Sequence, residues 1–184
     1  METVFASVKE KMTKTVDALN REYAAIRAGR ANPAVLDKIK VDYYGTPTPI
    51  NQMAAVSVAE ARILTIQPWD ASTLHPIEKA ILASDIGINP QNDGRVIRLM
   101  FPQPTEERRR ELVKDVKRMA EESRVAIRSI RRDGIDKIKK MEKASEITED
   151  DLKDGEKKLQ DFTDEYIKKV DACAADKEKE IMSV

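Results

Sequence analysis

Residues 123–132, SRVAIRSIRR, contain four arginines, Arg124, Arg128, Arg131 and Arg132, and no acidic residue. The planar guanidinium of arginine binds phosphate in a bidentate manner and stacks on nucleic-acid bases. On a helix that advances about 100° per residue, the four side chains fall within an arc of roughly 100° beside the apolar face. This clustering predicts a surface that attracts a polyanion.

A second interpretation stays open, because a charged helical stretch is usually a solvated face. Such faces mix signs for pairing between positions i and i+4, whereas we find no local partner for these arginines. Basic residues continue the arc, with Glu121 as the interruption: Arg110, Lys114, Lys117 and Lys139. A helical rod offers no stacking platform for single strands, so folded RNA or a duplex backbone is the expected target.

The chain as a whole carries 33 basic and 33 acidic residues and a formal net charge of +0. We therefore expect the compensating acids to lie away from the arginines. A candidate cluster follows further along the chain: Glu146, Glu149, Asp150, Asp151, Asp154 and Glu156. This separation predicts a molecule with one basic face despite its neutral total charge.

No catalytic constellation is found. His75 and Cys173 are the only histidine and the only cysteine, so they predict neither a zinc site nor an internal disulfide. Cys173 lies on an apolar stripe and is interpreted as a core thiol. Nucleotide-binding and nucleophile-elbow glycine motifs do not occur. We expect no cofactor and no metal. Trp69 in QPWD fits a binding aromatic about as well as a buried one.

Composition favours long solvated helices, since 36% of the 184 residues are charged and 4% are aromatic. No apolar run approaches the roughly 20 residues needed to span a bilayer, and the N-terminus lacks the apolar core of a signal peptide. We expect a cytoplasmic, monomeric protein without membrane contact.

All eight prolines lie between Pro33 and Pro104. Because proline breaks helices, residues 1–30 and 105–184 can hold long helices, and they are predicted to form a discontinuous three-helix bundle. The first helix ends at a stop signal that starts at Gly29. The second runs from Thr105, its N-cap, to about residue 144. The third opens at Thr148 with Asp151 in a capping-box-like start.

Apolar residues recur at steps of three and four in each predicted helix, which indicates one buried stripe per helix. The first stripe is Phe5, Val8, Met12, Val16, Leu19, Tyr23 and Ile26. The second is Leu112, Val116, Met119, Ile127, Ile130, Ile138 and Met141, with Gly134 permitting close helix approach. The third is Leu152, Leu159, Phe162, Tyr166, Val170 and Cys173.

Residues 31–104 are predicted to be an inserted small α+β domain. Strand-like runs cover residues 36–44, 62–66 and 95–101, the last one following the turn signal Asn92-Asp93-Gly94, and residues 72–84 form a short helix. The two connections between the domains are predicted to act as a hinge. The hinge residues are Ala31, Asn32, Pro33, Pro102, Pro104 and Thr105.

Several stretches resemble the ribosome recycling factor family: IRAGRANPAVLDKIKVDYYGTPTPINQMA, QPWD, IEKAILASDIGINPQNDGRVIRLMFPQPTEERRRELVK, SIRRDG and KEKEIMS. The resemblance implies an α+β protein in which a long three-helix bundle is interrupted by a small β/α/β domain, hinged into an L shape. It also implies a non-enzymatic factor that, with elongation factor G and GTP hydrolysis by that factor, splits the post-termination ribosome into subunits.

The same resemblance implies that the bundle binds large-subunit ribosomal RNA. It makes Arg132 the leading RNA contact, with Arg128, Arg131 and Arg30 as neighbours; Arg124 and Arg110 join this set by their place on the arc. Ala28, Asn32 and Gly134 depart from the family pattern, and Gly134 could loosen its helix. A different class of function stays open as well, a helical scaffold whose basic stripe meets an acidic protein.

Overall fold

The structure is a computed structural model that describes residues 1–183. These residues form two compact units. A helical unit joins Met1–Arg27 to Glu106–Ser183, and an α+β unit consists of Ala28–Thr105. The helical unit is therefore assembled from two separate parts of the chain, with the other unit inserted between them.

Residues 1–183 contain four α-helices: α1 (Glu2–Ala25), α2 (Leu74–Ala83), α3 (Glu106–Lys143) and α4 (Glu149–Met182). In the helical unit, α1, α3 and α4 each contact the other two, which confirms the three-helix bundle. None of the described helices is long and apolar enough to cross a membrane.

The buried faces follow the predicted stripes most closely in α1. Six of its seven predicted positions are buried, Phe5, Val8, Met12, Val16, Leu19 and Tyr23. The seventh, Ile26, is half-buried and follows the last residue of the helix. In α3, Met119, Ile130 and Met141 are only half-buried, and Ala120 and Gly134 complete the buried face instead. In α4, Leu152, Phe162 and Cys173 are half-buried.

The helix ends agree with local capping chemistry. Helix α3 begins directly after Thr105. Thr148 and Asp151 form the predicted capping box at the start of α4. The Thr148 hydroxyl accepts from the Asp151 N–H at 3.1 Å, and the Asp151 carboxylate accepts from the Thr148 N–H at 2.9 Å. Helix α1 ends at Ala25, before the predicted stop, because Ile26 is already extended (φ −74°, ψ 110°).

Two tyrosine hydroxyls lie within the bundle, and each forms a hydrogen bond to another helix. Tyr23 donates its hydroxyl proton to the Val116 carbonyl at 2.8 Å, and Thr13 and Tyr166 share a 2.7 Å hydrogen bond between hydroxyls. Burial raises the pKa of Tyr23 to about 12, so this phenol stays a donor at neutral pH. Both bonds join helices that are distant in sequence and fix how they face each other.

Two glycines allow the helices of the bundle to approach closely. A Cβ atom at Gly134 would lie 2.9 Å from Val8 Cγ2 and 3.3 Å from Leu159 Cδ1. At Gly155 it would lie 3.0 Å from Ile138 Cδ1 and 3.2 Å from Met1 Sδ. Val8 and Leu159 are buried, and a β-branched valine has little freedom to move aside. The interpretation that Gly134 permits close approach is confirmed.

The α+β unit contains six strands: β1 (Lys40–Tyr43), β2 (Thr46–Pro49), β3 (Ala54–Glu60), β4 (Ile63–Pro68), β5 (Pro90–Asn92) and β6 (Ile97–Met100). Strands β1 and β2 form one antiparallel sheet, and the other four form a second in the order β3-β4-β6-β5. The central strands β4 and β6 alternate strictly, with Leu64, Ile66, Ile97 and Leu99 fully buried. They share one apolar cluster with Ile77 and Ile81 of α2.

The α+β class is confirmed, but the predicted strands are incomplete. The run at residues 36–44 begins with a short 3₁₀ helix, Pro33–Leu36, and its strand starts only at Lys40. Strands β2, β3 and β5 were not predicted. Strand β2 contains Pro47 and Pro49, which are tolerated because β2 pairs only with β1 among the described strands. Strand β3 was missed because its alanines have low strand propensity.

We expect Gly134→Ala to destabilise the protein. Alanine has a higher helix propensity than glycine, which stabilises the helix by up to about 1 kcal/mol. Overpacking against Val8 and Leu159 destabilises the fold by about 1–3 kcal/mol. A net loss of about 1 kcal/mol is the expected change in the free energy of unfolding, measured by urea denaturation. The exposed Ser129→Ala on the same helix is the control and should stay within about 0.5 kcal/mol. A Gly134→Ala variant more stable than the parent would contradict the packing argument.

Candidate nucleic-acid interface

The four arginines of residues 123–132, which lie in the middle of α3, differ in exposure according to their distance from the buried face. Arg131 and Arg124 lie closest to the stripe that contains Ile127 and Ile138. The side chain of Arg124 is 25% exposed and that of Arg128 is 40% exposed. Arg132, the farthest around the helix from the stripe, is exposed. The predicted arc is therefore present, and only its outer edge faces solvent fully.

Arg124 is held by carboxylates on two helices. Its Nε donates to Asp171 Oδ1 of α4 at 2.8 Å, and its Nη1 donates to Glu121 Oε2 of α3 at 2.9 Å. The hydrogen bond to Asp171 is the main cause that raises the pKa of Arg124. Arg128 shares Glu121, with Nη1 at 3.3 Å from Oε1. Hydrogen bonds from Arg124 and then Arg128 lower the pKa of Glu121.

These contacts correct the sequence analysis, which found no local partner for the arginines and placed the compensating acids elsewhere. Glu121 was regarded only as an interruption of the arc, yet it pairs with two arginines. Asp171 is distant in sequence but lies opposite Arg124, because α3 and α4 run side by side. Further pairs join the two helices at 4.0 Å (Lys117 to Glu178) and 3.4 Å (Lys139 to Glu156).

Arg131 bridges to α4 without an ion pair. Its Nη1 donates to Gln160 Oε1, and Gln160 in turn donates to Asp164 at 2.8 Å. The Nε of Arg131 is buried and has no hydrogen-bond partner among the described residues. An unsatisfied donor inside the α3–α4 contact is energetically unfavourable, so this arginine is only partly accommodated within the protein.

Arg132 stands apart from the other three. It makes no hydrogen bond or ion pair with any of residues 1–183, even though Asp136 follows one turn later. The nearby Val125 is 52% exposed and lies on the same outer side of α3. The guanidinium of Arg132 is therefore available to a partner without the loss of any internal contact.

The remaining predicted site residues lie elsewhere. Arg110 is paired with Glu106 at 3.3 Å in the first turn of α3. Arg30 is exposed and belongs to the α+β unit, so it is not part of the α3 cluster. Sequence periodicity could place the arginines on one face, but the pairing partners on α4 follow only from the register between the two helices.

The predicted hinge residues are built into the α+β unit. The Ala31 N–H donates to the Ala61 carbonyl at 2.8 Å, and the Asn32 side chain caps the Pro33–Leu36 3₁₀ helix. Gly29 has φ +78°, and a Cβ there would lie 2.5 Å from Pro104 Cδ. Residues 26–32 and 101–105 contain no α-helix or strand.

The fold defines a class of α+β protein in which a three-helix bundle is interrupted by a small α+β unit. No group of three or more potential metal ligands comes together within residues 1–183. The family model "Ribosome recycling factor" matches residues 19–182. The chain belongs to the ribosome recycling factor family.

Named relatives cover almost the whole chain. The ribosome-recycling factor of Caldicellulosiruptor bescii is 60% identical over 176 residues, which are 96% of each chain. That of Bacillus cereus is 60% identical over 181 residues, 98% of each chain. A solution structure of the ribosome recycling factor matches with a TM-score of 0.67 at 40% identity and covers 100% of this chain and 97% of that one.

A second structural relative shows the T. thermophilus ribosome recycling factor and the E. coli elongation factor G bound to the E. coli post-termination complex. It matches this chain with a TM-score of 0.59 at 46% identity and covers 98% of this chain and 97% of that one. The resemblance stated from sequence motifs is thereby confirmed at the level of the family.

The contrast between Arg124 and Arg132 can be tested through stability. Arg124→Ala removes contacts between α3 and α4 and leaves Asp171 without its partner, so we expect a loss of up to about 1 kcal/mol in the free energy of unfolding. Arg132→Ala removes no hydrogen bond or ion pair among the described residues and should change the free energy of unfolding by less than about 0.5 kcal/mol. Urea denaturation followed by circular dichroism measures both. Equal losses for the two variants would contradict the described pairing.

Proposed function

We propose that this protein is a ribosome recycling factor that binds the post-termination ribosome and, with elongation factor G, splits it into subunits for reuse in translation. GTP is hydrolysed by that factor, and the protein itself acts without catalysis. The observation that carries the proposal is the 60% identity to named ribosome-recycling factors over nearly the whole chain. The structural relative in complex with a ribosome and elongation factor G supports the same partners. The site of action is the cytoplasm, where the protein works as a monomer.

The arginine face of α3 is the surface we propose to contact large-subunit ribosomal RNA. Arg132 is the first candidate because it is exposed and pairs with none of the described residues. Arg131 follows, since the structure pairs it with the neutral Gln160 and not with a carboxylate. Arg128 and Arg124 can reach phosphate only in competition with Glu121 and Asp171, which makes them weaker contributors. Arg110 and Arg30 extend the RNA-binding surface.

Competition from internal acids has an energetic consequence for RNA binding. A guanidinium that leaves a carboxylate for a phosphate exchanges one charge-assisted hydrogen bond for another. A free guanidinium gains the contact outright and also releases counterions condensed on the RNA. Arg132 should therefore contribute more to affinity than Arg124, because Arg124 would first have to give up its contacts with Asp171 and Glu121.

Charge reversal of Arg132 is the direct test. Arg132→Glu should abolish cosedimentation with vacant ribosomes and leave the helical circular dichroism spectrum unchanged, because the Arg132 side chain is exposed and pairs with none of residues 1–183. The neutral variant Arg132→Gln should bind more weakly than the parent and show a shallower dependence of log affinity on log salt, since it loses about one phosphate contact.

Lys153→Glu serves as the matched control, since Lys153 is an exposed cation on α4 that pairs with Glu149. It should leave ribosome binding near the parent level. An equal loss from both reversals would indicate that net charge, and not this face, determines binding. A parent protein that does not pellet with ribosomes at all would instead favour the helical scaffold that meets an acidic protein.

We also propose that the two connections between the units act as a hinge during splitting. Support comes from the absence of α-helix and strand in residues 26–32 and 101–105. Pro102 and Pro104 restrict the backbone torsions of the second connection. Ala31, Asn32 and Pro33 anchor one connection to the α+β unit, and Thr105 precedes the first residue of α3. A rotation there would transmit force from the elongation factor to the RNA-bound helices.

Single-molecule energy transfer tests the hinge. Dyes on Ser57→Cys and Ser145→Cys, in a Cys173→Ser background, label one exposed serine in each unit. We expect the distance distribution to change when ribosomes, elongation factor G and GTP are added together. A control pair within the helical unit, Ser129→Cys with Ser145→Cys, should report a constant distance. A constant distance for the first pair during active splitting would rule out hinge motion.

A further inference from the structure

The α+β unit exposes aromatic side chains in a protein that has few of them. Tyr44 is 83% exposed and Trp69 is 69% exposed, and Trp69 is the only tryptophan in the chain. Sequence analysis left Trp69 between a buried and a binding role, and the structure shows that it is not buried. Large exposed aromatic side chains are typical of binding surfaces.

Trp69 borders a shallow depression of about 110 Å³ whose lining combines aromatic, thioether and acidic groups. Tyr43 supplies a second ring, Met53 supplies sulfur, and Asp70 supplies the only charged group. The remaining lining residues are polar: Thr48, Gln52 and Thr73. The depression therefore carries one formal charge, which is negative, on a partly aromatic wall.

Local hydrogen bonds hold this wall in place. The backbone N–H of Trp69 donates to the backbone carbonyl of Met53 at 3.2 Å. Asp70 Oδ1 accepts from the N–H and the hydroxyl of Ser72 at 2.9 and 2.8 Å, which lowers the pKa of Asp70. Asp70 Oδ2 accepts no hydrogen bond from the described residues. An ionised carboxylate with one free oxygen is thus fixed beside an indole ring.

Tyr44 lies at the tip of the β1–β2 hairpin and contacts the ring of Tyr43, which lines the depression. Its backbone has φ 49°, followed by Gly45 at φ 80°, and a left-handed conformation is unusual for a bulky residue. This turn leaves the Tyr44 side chain in solvent, and its ring contacts that of Tyr43 edge-on, with centroids 4.6 Å apart. The edge contact limits the movement of Tyr43 next to the depression.

We propose that the depression bounded by Tyr43, Trp69 and Asp70 receives an arginine side chain of a protein partner. A guanidinium stacks on indole and phenol faces, where the ring quadrupole attracts a cation. It can simultaneously donate to the free Oδ2 of Asp70 in a charge-assisted hydrogen bond. This inference rests on the proposed function, since it supplies the α+β unit with a docking point on a protein of the recycling complex.

The charge of the depression argues against a nucleic-acid base as the occupant. Aromatic rings also stack bases, but a base brings a phosphate, and Asp70 would repel it at short range. No basic residue lines the depression to offset that repulsion. A cationic side chain satisfies both the rings and the carboxylate.

A titration of the full chain with N-acetyl-arginine amide at constant ionic strength tests the inference, with the Trp69 indole N–H resonance as the readout. We expect a saturable shift, with the neutral N-acetyl-citrulline amide binding at least roughly threefold more weakly. Asp70→Asn should remove that difference, while Asn can still accept the capping bond from Ser72. Asp42→Asn, an exposed carboxylate outside the lining, should leave the response unchanged.

Two results would overturn the inference. One is an equal response to the arginine and citrulline compounds. The other is a larger, saturable response to adenosine monophosphate, which would identify the depression as a base-stacking site. Either result concerns the depression alone and leaves the proposed recycling function standing.

A functional measurement decides whether a partner uses the site. Asp70→Asn and Trp69→Leu, checked for folding by thermal unfolding, should retain ribosome cosedimentation and lower subunit splitting with elongation factor G by roughly threefold or more. Unchanged splitting in both variants would overturn the docking role. A parent protein inactive in splitting would count against the proposed function, and the arginine titration would still decide what the depression binds.

Discussion

The close approach of α1 to the α3–α4 pair is the contact on which the helical unit depends. Its two parts are separated in sequence by the whole α+β unit, so α1 is retained only by what it buries. Gly134 and Gly155 remove the atoms that would keep α1 away, and Tyr23 and Thr13 add hydrogen bonds to α3 and α4. With α1 in place, α3 continues without a break from Glu106 to Lys143 and carries the four arginines on one side.

The contact between α3 and α4 also explains how a neutral chain can leave an arginine exposed and unpaired within residues 1–183. Helices α3 and α4 lie side by side, so most cations along their contact meet a carboxylate or an amide. Internal pairing orders those side chains but reduces what they can offer to a partner. Arg132 differs from the neighbouring arginines because its guanidinium is available to a partner and theirs are paired within the protein. A count of charges along the sequence therefore overestimates how many of these arginines are available to a partner.

Helical periodicity and capping made the helical unit predictable. The buried stripe of α1 and the Thr148–Asp151 capping box depend on local sequence patterns, and the structure contains both as predicted. Contacts between helices are not local, which explains why Asp171 and Gln160 were missed as partners of the arginines. Strand β3 was missed because its alanines lack strand propensity and only pairing with β4 defines it. Whether Trp69 is buried or exposed also depends on tertiary packing, so the residues next to it in the sequence do not predict its exposure.

The discontinuous helical unit has a consequence for how the protein folds while it is being made. Synthesis proceeds from the N-terminus, so α1 emerges long before α3 and α4 exist. Its apolar stripe must remain unpartnered until Ala28–Thr105 has been completed, whereas the α+β unit is continuous and can form its core as soon as β6 emerges. The α+β unit can therefore fold before α1 does, although α1 is synthesised first, and the apolar stripe of α1 stays exposed until α3 and α4 have been made.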